Sequence, residues 1–154
     1  NPDFKQIANG IPGIELRLPL LFSEGVRKNR IDLNRFVELV CTNPAKVYGL
    51  HPKKGTIAIG SDADLAIWDP DKVVEVGDAT THDRTGYCPY AGVSVTGWPV
   101  TVLSRGEVIV DGGELLAERG RGRFLPRAAG PAANPLGRLV PELDPERNFG
   151  AELI

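Results

Sequence analysis

Two histidines, two cysteines, a spaced pair of aspartates and a run of arginines are the residues whose types could do chemistry here. His51 and His82 stand far apart with no cysteine at ligand spacing, so they do not make a zinc site. Each is expected to be structural or solvent-exposed. Cys41 lies beside a helical face and Cys88 in a loop before a proline, neither with a histidine nearby to form a nucleophile pair. Buried small-residue roles are the expectation for both. Asp62-Ala63-Asp64 has the look of a metal-binding carboxylate pair. The pattern around it reads as a buried strand, so both aspartates are expected to end a turn and point to solvent. Arg119, Arg121, Arg123, Arg127 and Arg138 fall in a stretch without acids, which suits phosphate, nucleic acid or the acidic face of a neighbouring subunit. Asn9 opens Asn9-Gly10-Ile11-Pro12-Gly13, a sharp turn expected to need a left-handed glycine.

The elements that must position these residues change character along the chain. Residues 14–48 read as helices. Pro19 must open or kink one, and Asp32 caps a second carrying Leu33, Phe36, Val37 and Val40 on one face. Asn43 with Pro44 reads as a further helix start, and Gly49 as its stop. After Gly55 the period shifts, and residues 56–116 read mostly as short strands. Thr56–Ile59 leads into a Gly60-Ser61-Asp62 turn, and 63–68 is apolar on both faces, as in a doubly covered strand. Residues 73–76, 93–96, 100–104 and 107–110 follow, with hairpin turns at Arg105-Gly106 and Asp111-Gly112-Gly113. Beyond Leu116 the prolines and arginines of 119–154 predict an extended arm.

Composition bounds the rest. With 42% hydrophobic and 25% charged residues, a disordered chain is excluded. No stretch is apolar for long enough to span a bilayer, and a net charge of -2 does not mark a nucleic-acid binder, so neither partner is expected. Two cysteines and no basic-then-apolar opening segment suit a cytoplasmic location. The lack of any methionine and the incomplete sheet both fit a piece of a longer chain.

The motifs resemble one family. Asn43-Pro44-Ala45-Lys46, Gly49-Leu50, Lys54-Gly55-Thr56-Ile57, Gly60-Ser61-Asp62-Ala63-Asp64-Leu65 and Trp68-Asp69-Pro70 look like the C-terminal signature of cyclic-amide amidohydrolases. Residues 7–15, 19–26, 87–92 and 95–100 narrow the resemblance to the dihydropyrimidinase and D-hydantoinase branch. It implies an α/β fold: the last helices of a (β/α)8 barrel (1–54), part of a β-sandwich domain (55–118) and an extended C-terminal arm (119–154). It also implies a cytoplasmic homotetramer that hydrolyses a ring amide with two divalent metal ions, zinc by the family's habit. The metal ligands would come from motifs upstream, leaving no catalytic residue and no metal ligand in this chain. Asn9 is the one site residue the resemblance assigns: in the family it borders the substrate, a small cyclic amide or imide. An imide C(=O)–NH edge offers a donor and an acceptor side by side, which an amide presents in return. The family's usual proline before this asparagine is Ala8 here.

Two other readings share part of the signature. Dihydropyrimidinase-related proteins that have lost their metal ligands act as structural or signalling oligomers, but they depart from the loop standing here at 9–13. Allantoinase and dihydroorotase share only the 43–70 block.

Overall fold

The computed structural model describes residues 10–77, 79–83 and 85–128. Helices precede strands, as the change of period predicts, and the content is mixed α and β. α1, Arg17–Leu21, has Pro19 in its opening turn, where a helix N–H lacks an internal acceptor anyway. It runs on into a π-helical stretch, Phe22–Arg27, that buries Phe22, Ser23 and Gly25.

The second helical run starts as expected. Asp32 is extended and accepts a hydrogen bond from the Arg35 N–H at 2.7 Å, capping α2, Leu33–Val37. Asn43 does not cap a new helix: it is helical itself, and α2 continues through a π-helical turn, Glu38–Thr42, into α3, Asn43–Val47. The wider turn explains this. The Asn43 N–H reaches back five residues to the Glu38 carbonyl, and the local widening relieves the clash that the Pro44 ring would cause in an α-helix interior. Gly49 ends the run at φ +68, with Leu50 N–H bonded to the Ala45 carbonyl at 2.8 Å and Gly49 N–H to that of Lys46 at 3.2 Å, the paired bonds of a Schellman stop.

Four antiparallel strands follow in the order β1-β2-β3-β4: β1 Leu65–Glu75, β2 Ser94–Ser104, β3 Glu107–Asp111 and β4 Glu114–Leu115. Three expectations differ from what is seen. β1 and β2 are long strands that each fuse two expected short ones, because irregularities in the register between Ile67 and Trp68 and between Asp69 and Val73 absorb Pro70 within the strand. Thr56–Ile59 forms no strand, and Ile57 and Ile59 are exposed. Among the described residues 63–68 is not doubly covered either: β1 is the outer strand of their sheet, and Ile67 is 53% exposed. Both tight turns are as expected, with positive φ at Arg105 and Gly106 and at Gly112 and Gly113.

Two small apolar clusters join helices to sheet. Leu16, Val76 and Val95 are almost completely buried, with Leu20, Tyr90 and Trp98 around them. In the other, Phe22 stacks on Trp68 with centroids 5.1 Å apart, and Phe36 meets Phe22 edge-on at 5.5 Å. Gly97 makes that stack possible. At φ +97 in the middle of β2 it lays bare backbone under the Phe22 ring, which a Cβ would penetrate. Among the described residues no helix is long and apolar enough to cross a membrane.

Candidate functional site

Asn9 lies outside the described residues, but the segment that carries it onward, 10–16, is described and is held by one loop. That loop runs from Val76 to Val93, between β1 and β2. Its base is closed by Val76 N–H to the Val93 carbonyl and Gly92 N–H to the Val76 carbonyl, both 2.9 Å. Inside it, the Thr80 hydroxyl bonds the backbone of Gly77, and Asp83 accepts from the backbone and hydroxyl of Thr85. Those bonds hold the Asp83 carboxyl below its ordinary value.

Three side chains of the loop land on successive points of the segment. The Tyr87 hydroxyl donates to the Gly10 carbonyl at 2.6 Å. The Tyr90 ring lies so close to Gly13 that a Cβ there would stand 3.3 Å from its Cε2. The backbone at 13 is not left-handed as expected; a side chain there would instead make the Tyr90 ring give way slightly. Glu15 takes the His82 N–H at 2.8 Å and pairs with His82 Nδ1 at 2.7 Å. His82 is thus the exposed, structural residue expected of it, and His51 is exposed on the turn after α3. Sequence reasoning missed Tyr87 and Glu15. These contacts join positions 77 and 67 residues apart, and no local pattern marks them.

The aspartate pair does not point freely to solvent as expected. Lys54 Nζ bridges it, 2.8 Å from Asp62 and in contact with Asp64, while Lys53 pairs with Asp62 at 2.9 Å. Asp64 also accepts the Arg105 N–H of the β2–β3 turn at 2.8 Å. Hydrogen bonds from Lys54 and then Lys53 pull the Asp62 carboxyl down to about 2. For Asp64, burial pushes upward, and the bonds from Lys54 and Arg105 outweigh it. The arrangement is a charge-matched lock on the turn before β1. Lys53-Lys54, nine and ten residues upstream, was its available signal. Among the described residues no three His, Cys, Asp or Glu gather where they could hold a metal ion.

An apolar cleft of about 1050 Å³ opens between the helices and β1, walled by Phe22, Phe36, Val40, Leu65 and Trp68. Cys41 lines it and is exposed rather than buried, with partial burial pushing its thiol up and away from the reactive thiolate. Cys88 is half-buried against the Leu16 cluster. Arg121 folds back on the β2–β3 hairpin, bonding the Ser104 carbonyl at 3.0 Å and Glu107 at 2.8 Å. Ala128 N–H meets the Gly49 carbonyl at 3.1 Å, so the arm lies along its own chain this far; Arg138 and the rest of the arm lie outside the described residues.

Comparison with known proteins gives this geometry its context. The profile of the Amidohydrolase family matches residues 7–109. The chain is 50% identical over 125 residues to the D-hydantoinase of Ralstonia pickettii, covering 81% of this chain and 27% of that protein. It is 40% identical over 125 residues to the dihydropyrimidinase of Rattus norvegicus, covering 81% and 24%. A crystal structure of a D-hydantoinase superposes with a TM-score of 0.79 at 50% identity, over 82% of this chain and 28% of that one. The chain therefore spans about a quarter of the length of the relatives it matches.

Proposed function

This chain belongs to the amidohydrolase family, and from that premise we propose that it is the C-terminal part of a metal-dependent cyclic amidase opening the ring amide of hydantoins or dihydropyrimidines. The observation that carries the reading is the 50% identity to a D-hydantoinase sustained over four-fifths of the chain. The non-catalytic alternative is not favoured, since the relatives found are hydantoinases and dihydropyrimidinases.

In this reading residues 1–54 close a (β/α)8 barrel, 55–118 belong to a β-sandwich and 119–154 form an arm reaching another subunit of a cytoplasmic homotetramer. Physical need supports an upstream partner layer. An open cleft walled by Phe, Leu and Val, together with exposed Ile57, Ile59 and Ile67, is surface that a folded protein covers. The rest of the longer protein, roughly twice the length of this chain in the D-hydantoinase relative, is the proposed cover.

The residues described here do not fit a metal pair. The carboxylates of Asp62 and Asp64 are neutralised by Lys53 and Lys54, so the donors for two divalent ions, zinc in the proposal, are assigned upstream. What this chain contributes is orientation. The Asn9 amide pairs with the ring C(=O)–NH edge, holding the ring for attack at the other face. Ring opening of hydantoin and dihydrouracil by the metal-loaded full-length protein tests the proposal. Turnover of dihydroorotate or allantoin with neither of those two consumed refutes the substrate class, and turnover of none refutes the enzyme.

A further inference from the structure

We propose that residues 121–128 are a strap, buckled by Arg105 and Arg121, that ties the β2–β3 turn to the stop of α3 and opens as one unit.

The buckle is made by two arginines. Arg121 lays its guanidinium fork on the hairpin: Nη2 donates to the Ser104 carbonyl at 3.0 Å and to Glu107 Oε2 at 2.8 Å, and Nε reaches the same carboxylate oxygen at 3.3 Å. Arg105 answers from the turn, its Nη2 donating to the Arg121 carbonyl at 2.7 Å. Backbone and side chain of Arg121 are thus both held, and the side chain is only 21% exposed. This contact also gives a reason for arginine at 105. Arg105 and Gly106 both have positive φ, a turn conformation that favours asparagine or glycine in the first place. Arginine there strains the backbone and does nothing for the turn, but its guanidinium fastens the strap.

From the buckle the chain runs on to Ala128, whose N–H donates to the Gly49 carbonyl at 3.1 Å, at the left-handed stop of α3. Leu125 is half-buried on the way, and Pro126 stiffens the run by fixing φ. The same two places are joined a second time by the connection from α3 to β1. There Lys54 grips Asp64, Asp64 takes the Arg105 N–H at 2.8 Å, and Gly106 N–H meets the Ala63 carbonyl at 2.9 Å. Helix stop, connection, turn and strap therefore close a ring, with the β2–β3 turn pinned from both sides. Residues 129–154 set out from the α3 stop, where Ala128 is bonded, and not from the end of β4. Without the buckle, one backbone bond at Ala128 and a half-buried Leu125 would have to hold the strap, too little to keep an extended segment in place.

Arg121→Met keeps an unbranched stem and removes the guanidinium. In the full-length protein, trypsin should then cut after the exposed Arg123 and Arg127 at least about fivefold faster than in wild type, at unchanged melting temperature. Hydrogen exchange at the Ala128 N–H, at the far end of the strap, should speed at least about threefold. Arg105→Asn separates the turn from the strap: it supplies a residue the turn prefers and deletes the other half of the buckle. Exchange of the 103–108 amides should stay at or below the wild-type rate, while cleavage at Arg123 and Arg127 rises about threefold. Wild-type cleavage in Arg121→Met overturns the proposal. So does faster exchange beside Ser104 and Glu107 with Ala128 as protected as before, because the strap then does not open as one unit. Acceleration spread equally over β1 would report global loosening and overturns it as well. If Arg121→Met does not fold, Arg105→Asn decides: wild-type protection of the strap, or hairpin exchange raised as much as strap cleavage, refutes the buckle.

Discussion

Gly97→Ala should loosen the helix–sheet junction by about 2–6 kcal/mol, in two separable parts. The first is backbone: at φ +97 an alanine is held in a region L-residues avoid, which costs about 1–3 kcal/mol. The second is steric. The new Cβ would sit inside the envelope of Phe22 Cδ1 and Cε1, so the ring must retreat by roughly 1–2 Å to restore ordinary carbon contacts of about 3.5–4.0 Å. Retreat breaks its stack on Trp68 and its edge contact with Phe36, each worth about 0.5–1.5 kcal/mol. Hydrogen exchange of the β1 and β2 amides in the full-length protein measures local opening directly, and the loss should appear as exchange about one to four powers of ten faster. A Phe22→Ala background separates the parts: there Gly97→Ala should cost only the backbone share. Equal cost in both backgrounds would show that the ring does not demand the glycine. A Gly97→Ala protein within about 0.5 kcal/mol of wild type would refute the reasoning entirely.

Asn9→Ala should lower kcat/KM by about one to two powers of ten at unchanged metal content, the cost of about 1–3 kcal/mol for an unpaired buried polar group, as steady-state assays on hydantoin will show. The Asp62 carboxyl, held at about 2 against an ordinary 3.8, favours the folded state above the ordinary value, and that contribution is lost as pH falls toward 2. Acid titration followed by tryptophan emission should therefore fall less steeply between about pH 4 and 2 in Asp62→Asn than in wild type. Deleting residues 129–154 should weaken assembly, seen by light scattering as a species smaller than the intact oligomer; an unchanged oligomer removes the arm from the interface.

Signals confined to a few residues were legible in the sequence. The Asp32 cap, the Gly49 stop and the Arg105-Gly106 turn each rest on one backbone conformation that their residue types favour. Legibility fails where a distant or irregular feature decides. Pro44 reads as a helix start because it is a breaker in an α-helix, and only the preceding π-helical turn accommodates it. Pro70 and Gly97 read as strand ends, yet register shifts and the Phe22 ring keep β1 and β2 whole. Thr56–Ile59 has strand composition, yet it finds no strand to pair with among the described residues and leaves Ile57 and Ile59 exposed. Of the candidate site, the 9–13 loop was legible as a motif. Its support by Tyr87 and Glu15 was not, since that depends on a loop seventy residues away.

The outer edge of β1 bears on self-association. An eleven-residue edge strand would ordinarily recruit a strand from another copy. Here the middle of the edge is disabled from within: Pro70 has no N–H, and the N–H groups of Asp71 and Lys72 are both taken by the Asp69 carboxylate at 3.0 and 3.1 Å. Arg27 of the helical run pairs with Asp71 at 3.1 Å and adds charge at the same spot. An incoming strand thus meets a templating stretch only on either side of a blocked centre, too short in each part for a stable intermolecular ladder. While the chain is being synthesised and this edge stands uncovered, that interruption would guard it against fibrous pairing with another copy.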